Sequence, residues 1–118
     1  MQFRDLKAQY MALQDKIDAN IKEVLLEGQF ILGSQVRELE NRLAEYVGVK
    51  HCISCANGTD ALLLVLLAWG IGPGDAVFTT DFTFVASASV ALVRGATPVL
   101  VDIDPKTFNI CPDSLEEA

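Results

Sequence analysis

Long apolar runs are missing from this sequence. The most sustained one, Ala61–Ala68, is far too short to span a bilayer, so no segment reads as a membrane helix. A signal-peptide core is missing too, because the opening "MQFRDLKAQYMALQDK" carries charges throughout. Positive charge is scarce. Nine Lys plus Arg stand against 16 Asp plus Glu, a net −7 at pH 7, the opposite of the basic face that nucleic-acid binders present. The excess serves instead to keep a cytoplasmic protein from aggregating. Cysteines number three, Cys52, Cys55 and Cys111, an odd count without a secretory signal, which implies reduced thiols in the cytoplasm. "HCISC" has the C-x-x-C spacing, but no second ligand pair accompanies it, so a zinc site is excluded. On a strand Cys52 and Cys55 point to opposite faces and read as small buried residues. Neither G-x-G-x-x-G nor G-x-x-x-x-G-K occurs, which removes the support for a dinucleotide-binding oxidoreductase domain or a Walker-type site.

What is present is enough for one domain with a core: 118 residues, 51% of them apolar. Asp5 to Glu27 reads as a long amphipathic helix, with Leu6, Tyr10, Leu13, Ile17, Ile21 and Val24 at spacings of three and four. Gly28 stops it, and "QFILG" links it to a second helix. That helix is expected to start at Ser34 as N-cap and end at Gly48. The character then changes. His51–Ala56 reads as a strand, and Asp60–Trp69 as a helix apolar nearly all round, expected to be buried on more than one side. Pro73 and Gly74 take the central positions of a tight turn. A strand Ala76–Thr80, a small-residue helix Val85–Arg94 and a strand Pro98–Asp102 follow. Short apolar strands alternating with helices mark parallel crossover units of an α/β sheet. "PDSLEEA" has Asp113 and Glu116 at capping-box spacing. The chain stops in the first turn of that helix, too short to sustain itself, so the expectation is the front part of a longer protein.

Ligands of open α/β sheets bind outside the carboxyl ends of the strands. The first such end, Asn57-Gly58-Thr59, offers backbone N–H groups at a helix N-terminus, a ready phosphate site. Gly58 lets a phosphate approach closely, and the Thr59 hydroxyl either adds a donor or caps the helix. The second end, "TTDFTF", puts Phe82 and Phe84 at the same rim, as a planar phosphorylated heterocycle requires. Each residue also has a plainer role: Thr59 as cap, Asp60 as a first-turn charge, the phenylalanines as core.

In order and spacing, "FRDLKAQY", "GQFILGSQVRELENRLAEYVGVKHCISCANGTDAL", "GIGPGDAVFTTDFTFVASA" and "GATPVLVDIDPKTFNI" resemble the N-terminal part of the DegT-type nucleotide-sugar aminotransferases. The resemblance covers essentially the whole chain. Within the family it is greatest to enzymes that aminate a UDP-linked 3-keto-N-acetylglucosaminuronic acid for bacterial surface polysaccharide. It implies fold type I of the pyridoxal-phosphate (PLP) transferases, aspartate aminotransferase-like, with residues 1–33 as an N-terminal helical arm and 34–118 as the incomplete first part of the three-layer PLP-binding large domain. It implies PLP as cofactor, glutamate as amino donor and a homodimer with both subunits lining each active site. Gly58 and Thr59 match the family's phosphate-binding pair. Phe84 matches the residue that stacks on the pyridine ring, where many relatives carry Tyr or Trp; Phe keeps the surface and loses the polar handle. Phe30 to Gly33 match the loop near the sugar-nucleotide entrance.

Transamination also needs a Schiff-base lysine and a carboxylate on the pyridine nitrogen. In the family both lie beyond the position of Ala118, and Lys7, Lys16, Lys22, Lys50 and Lys106 do not match the lysine motif. No catalytic residue is therefore assigned within the chain, and the fragment alone is expected to be inactive. The alternative is a non-catalytic module of the same family that dimerises or binds through its long N-terminal helices.

Overall fold

A computed structural model of the protein describes residues 4–118; Phe3, which opens the first of the matched blocks, lies outside them. The chain divides into two compact units, one running through Ser54 and the other over Cys55–Ala118.

The first unit is a helix pair. Helix α1, Leu6–Glu27, is capped by Asp5, whose carboxylate accepts the Ala8 N–H at 2.9 Å. It ends on Gly28 in the left-handed region, φ 69°, with the Gly28 N–H on the Val24 carbonyl at 3.0 Å. Helix α2, Ser34–Val47, starts one residue earlier than expected: Gly33 is the N-cap and Ser34 the first helical residue. The Ser34 hydroxyl turns to the Gln35 side chain at 3.1 Å instead of closing on the helix. Gly48 ends α2. The amphipathic pattern of α1 is real but uncovered: none of its residues is buried, and Leu13, Ile21 and Leu25 stay exposed.

The expected strand His51–Ala56 does not form. A strand exists only through a neighbour's ladder, and among the described residues β1 and β2 pair only with each other. The face argument for Cys52 and Cys55 falls with it. Cys52 is half-buried rather than buried, and Cys55 is exposed with its thiol 3.3 Å from the Asn57 carbonyl. What holds the end of the first unit is Glu40 of α2, whose carboxylate oxygen accepts both the Ser54 N–H at 2.8 Å and the Ser54 hydroxyl at 2.7 Å.

The second unit is built on a parallel pair. Strands β1, Ala76–Thr80, and β2, Thr97–Val101, align Ala76 with Thr97 through Thr80 with Val101. Helix α4, Ala86–Val93, makes the crossover between them and packs on both strands, while helix α3, Gly58–Ala68, packs on α4. The β1 bounds are those expected; β2 sits one residue earlier. Small residues let these layers close: Ala86, Val90, Ala91, Ala96 and Val101 are buried, with Leu66 from α3. Contrary to expectation α3 is not buried on several sides. Only Leu66 is, and Leu62, Leu64, Val65 and Leu67 remain 44–46% exposed, because α4 packs on one face and nothing among the described residues covers the others. After β2, a tight hairpin brings Ile103 opposite Ile110 and leads to helix α5, Pro112–Glu117. Its N-cap is Cys111, with Pro112 at the first helical position, so Asp113 lies inside the helix and the expected capping box is not made. No helix among the described residues is long and apolar enough to cross a membrane.

Two turns set where the strands begin. Pro73 and Gly74 occupy the middle of the turn closed by the Asp75 N–H on the Gly72 carbonyl at 3.1 Å, with Gly74 at φ 96°. Gly95, at φ 75° after α4, lies so near this turn that an added Cβ would stand 3.2 Å from Pro73 Cγ. Gly95→Ala should therefore cost at least about 1 kcal/mol, the left-handed penalty alone, read as a fall in the urea unfolding midpoint. Glu40 yields a second test. The two Ser54 donors hold its carboxyl below the ordinary glutamate range, backbone N–H first. A lowered folded value means the tether contributes above the unfolded carboxylate range and is lost as pH falls through the lowered value. The Ser54 amide resonance should titrate with a midpoint below that of an ordinary glutamate, and Glu40→Gln should abolish the titration.

Candidate functional site

The start of α3 follows from a choice between neighbouring cap formers. Asn57, in extended conformation, is the N-cap: its Oδ1 accepts the Asp60 N–H at 2.9 Å. Asp60 completes a reciprocal pair, its Oδ2 accepting from Asn57 Nδ2 at 3.0 Å. Asn57 Oδ1 thus takes the cap that the sequence reading assigned to Thr59 as its plainer role, and Thr59 becomes the second helical residue. The Ala61 N–H goes to the Asn57 carbonyl at 3.1 Å. Among the described residues this leaves the N–H groups of Gly58 and Thr59 and the Thr59 hydroxyl without a partner. They are the orphan donors of the helix start, at its positive dipole end. Asp60 is drawn to Asn57.

Gly58 has no conformational need to be glycine. Its φ is not positive, and an added Cβ would meet nothing within 4 Å. The space over its backbone is open, as the close approach of a ligand requires.

The second rim element is the loop between β1 and α4. The Asp81 N–H continues the ladder to the Val101 carbonyl at 3.2 Å, and the Phe84 carbonyl accepts the Ser87 N–H at 3.0 Å as α4 begins. Thr83 and Ser87 hydroxyls lie 3.1 Å apart across the same turn. The loop thus leaves the carboxyl end of β1, with Phe82 and Phe84 exposed at 69% and 75%; neither ring is core. Sequence reasoning did not find Phe108. It stands in the hairpin after β2, its ring centroid 5.9 Å from that of Phe82, and its backbone is left-handed at φ 59°. In the first unit, the Phe30–Gly33 segment has Phe30 exposed and Leu32 at φ 50°.

Residues 11–118 match the DegT/DnrJ/EryC1/StrS aminotransferase family. The chain belongs to that family. It is 58% identical over its whole length to the UDP-2-acetamido-2-deoxy-3-oxo-D-glucuronate aminotransferase of Pseudomonas aeruginosa, 33% of which it covers. A DegT DnrJ EryC1 StrS aminotransferase from Brucella abortus superposes with a TM-score of 0.93 at 51% identity, over 98% of this chain and 31% of that one. The NtdA protein of Bacillus subtilis, solved with bound cofactor PMP, superposes at 0.84 and 38% identity over 88% and 24%. The chain thus spans about a third of the length of the curated relatives it matches. The fold of these neighbours agrees with the expected α/β large-domain start.

The cap pair makes a direct prediction. Asn57→Ala removes the acceptor of the Asp60 N–H and should lower stability by about 1 kcal/mol, measured by urea unfolding.

Proposed function

We propose that this chain is the N-terminal part of a pyridoxal-phosphate-dependent aminotransferase acting on a nucleotide-linked keto-sugar. The observation that carries the reading is the pair of unpartnered N–H groups at Gly58 and Thr59, under open space at a helix N-terminus. Phosphate is the group such a site receives. The Thr59 hydroxyl adds a third donor, and Phe84 offers an exposed ring for stacking on a heterocycle. The residues present therefore fit the phosphate and the ring of pyridoxal phosphate, which when bound supplies an electron sink and carries the amino group. In this reading Gly58 and Thr59 bind the phosphate through N–H donors. Phe84 orients the ring and keeps water from one of its faces.

Residues 1–33 form an arm, and 34–118 open the cofactor-binding domain. The uncovered faces of α3 support that arrangement, since apolar surface left in water forfeits roughly 25 cal/mol per Å². The remaining large domain would cover them. The identity to the Pseudomonas aeruginosa enzyme supports a UDP-linked keto-sugar as acceptor in surface polysaccharide biosynthesis, with glutamate as donor and a homodimer as the working form. The lysine and the carboxylate that complete the chemistry belong to later sequence. Lys106, which lies in the hairpin with its N–H on Asp104 at 2.9 Å, is given no catalytic role.

The full-length protein should take up pyridoxal phosphate and show its visible absorbance; a protein that stays colourless with excess cofactor would refute the reading. Within it, Gly58→Ala should leave the unfolding midpoint nearly unchanged yet weaken cofactor retention. Thr59→Ala should weaken retention more than Asp60→Asn, because Thr59 loses a phosphate donor whereas Asp60 is engaged with Asn57. Equal retention by the last two would remove Thr59 from the site.

A further inference from the structure

Phe108 is held in a conformation that a bulky residue adopts rarely, and the surrounding bonds show what holds it there. Asp104 organises the hairpin after β2: its carboxylate accepts the N–H groups of Lys106 at 2.9 Å and Thr107 at 2.8 Å. Its carbonyl accepts the Phe108 N–H at 2.8 Å, and its own N–H closes the hairpin on the Asn109 carbonyl at 2.9 Å. Asn109, the residue better suited to a left-handed backbone, does not take that position; Phe108 does, at φ 59°. The result places the Phe108 ring against Phe82, centroids 5.9 Å apart at a 41° tilt, rather than into a core, for Phe108 is 60% exposed. Such strain persists only where the surroundings over-determine it.

The partner of this ring lies in the loop that carries Phe84. That loop is pinned at Asp81 by the ladder to Val101 and at Phe84 by the Ser87 N–H. Between the pins, the Phe82 carbonyl has only a long 3.5 Å bond from the Thr80 hydroxyl. Parallel pairing of Thr80 with Val101 sets the two loops side by side at the carboxyl ends of β1 and β2. The ring pair is then the side-chain link between them.

We propose that Phe108 is a positioning residue: its ring braces Phe82 and so fixes the loop that presents Phe84 to the ring of the bound cofactor. This rests on the pyridoxal-phosphate reading above. Phe108 touches no reacting atom and acts through Phe82.

The test uses the full-length protein, freed of cofactor and titrated with pyridoxal phosphate, read by affinity and by the visible circular dichroism of the bound cofactor. Phe108→Gly keeps a left-handed backbone without strain, so it separates the ring from the fold. It should retain the thermal midpoint of the cofactor-free protein, weaken binding by up to about tenfold, the scale of an aromatic pair, and diminish the dichroic band. Phe82→Ala should do the same, the double variant should lose no more than either single one, and Phe108→Tyr should restore both readouts. The proposal is overturned if Phe108→Gly binds the cofactor with unchanged affinity and dichroism while Thr59→Ala does not, or if the losses at 82 and 108 multiply. A parent protein that takes up no cofactor overturns the underlying reading and this inference with it.

Discussion

The parallel alignment of β1 with β2 is the constraint on which the second unit depends. Parallel strands cannot be joined by a tight turn, so the chain must travel back along the sheet before pairing again. Helix α4 makes that journey, and its alanines and valines are small enough to lie close on both strands. Because the strands run the same way in register, the loop after β1 and the hairpin after β2 emerge at one rim. Phe82, Phe84 and Phe108 occupy that rim because of the pairing. Their exposure is a consequence of where strands end, and ligand chemistry in open α/β sheets is found at such ends.

The helix start at Asn57 shows a division of labour within four residues. Asn57 and Asp60 satisfy each other and close the cap, so the fold makes no demand on Gly58 or Thr59. Residues that the fold does not use are free to serve a ligand. The open space over Gly58 has the same meaning: neither packing nor backbone conformation asks for glycine there.

Much of this was legible in the sequence where a single residue decides the outcome. Gly28 ends α1, and Pro73-Gly74 mark a turn, because cap and turn residues act locally. The caps that failed, Ser34, Thr59 and Asp113, lie one or two residues from the true ones. Several suitable residues stand side by side there, and preference scales cannot arbitrate; at Asn57 the decision came from Asp60 three residues on. The strand expected at His51–Ala56 failed for a different reason. Strand identity resides in a neighbour, and apolar composition does not supply one. Phe108 was invisible because residue preference points to Asn109 for the left-handed position, whereas the hydrogen bonds of the hairpin around Asp104 put Phe108 there. Gly58 and Thr59 were legible as residues at a helix start; that their N–H groups have no partner follows from Asn57 and Asp60 bonding to each other.

The central claim is that the Gly58 and Thr59 amides receive a phosphate. Selective ¹⁵N labelling of glycine and threonine in the full-length, cofactor-free protein, followed by addition of pyridoxal phosphate, tests it directly. The account predicts that the Gly58 and Thr59 amide protons move strongly downfield as charge-assisted hydrogen bonds form. Cofactor uptake that leaves these two resonances in place, with shifts confined to other residues, would contradict it.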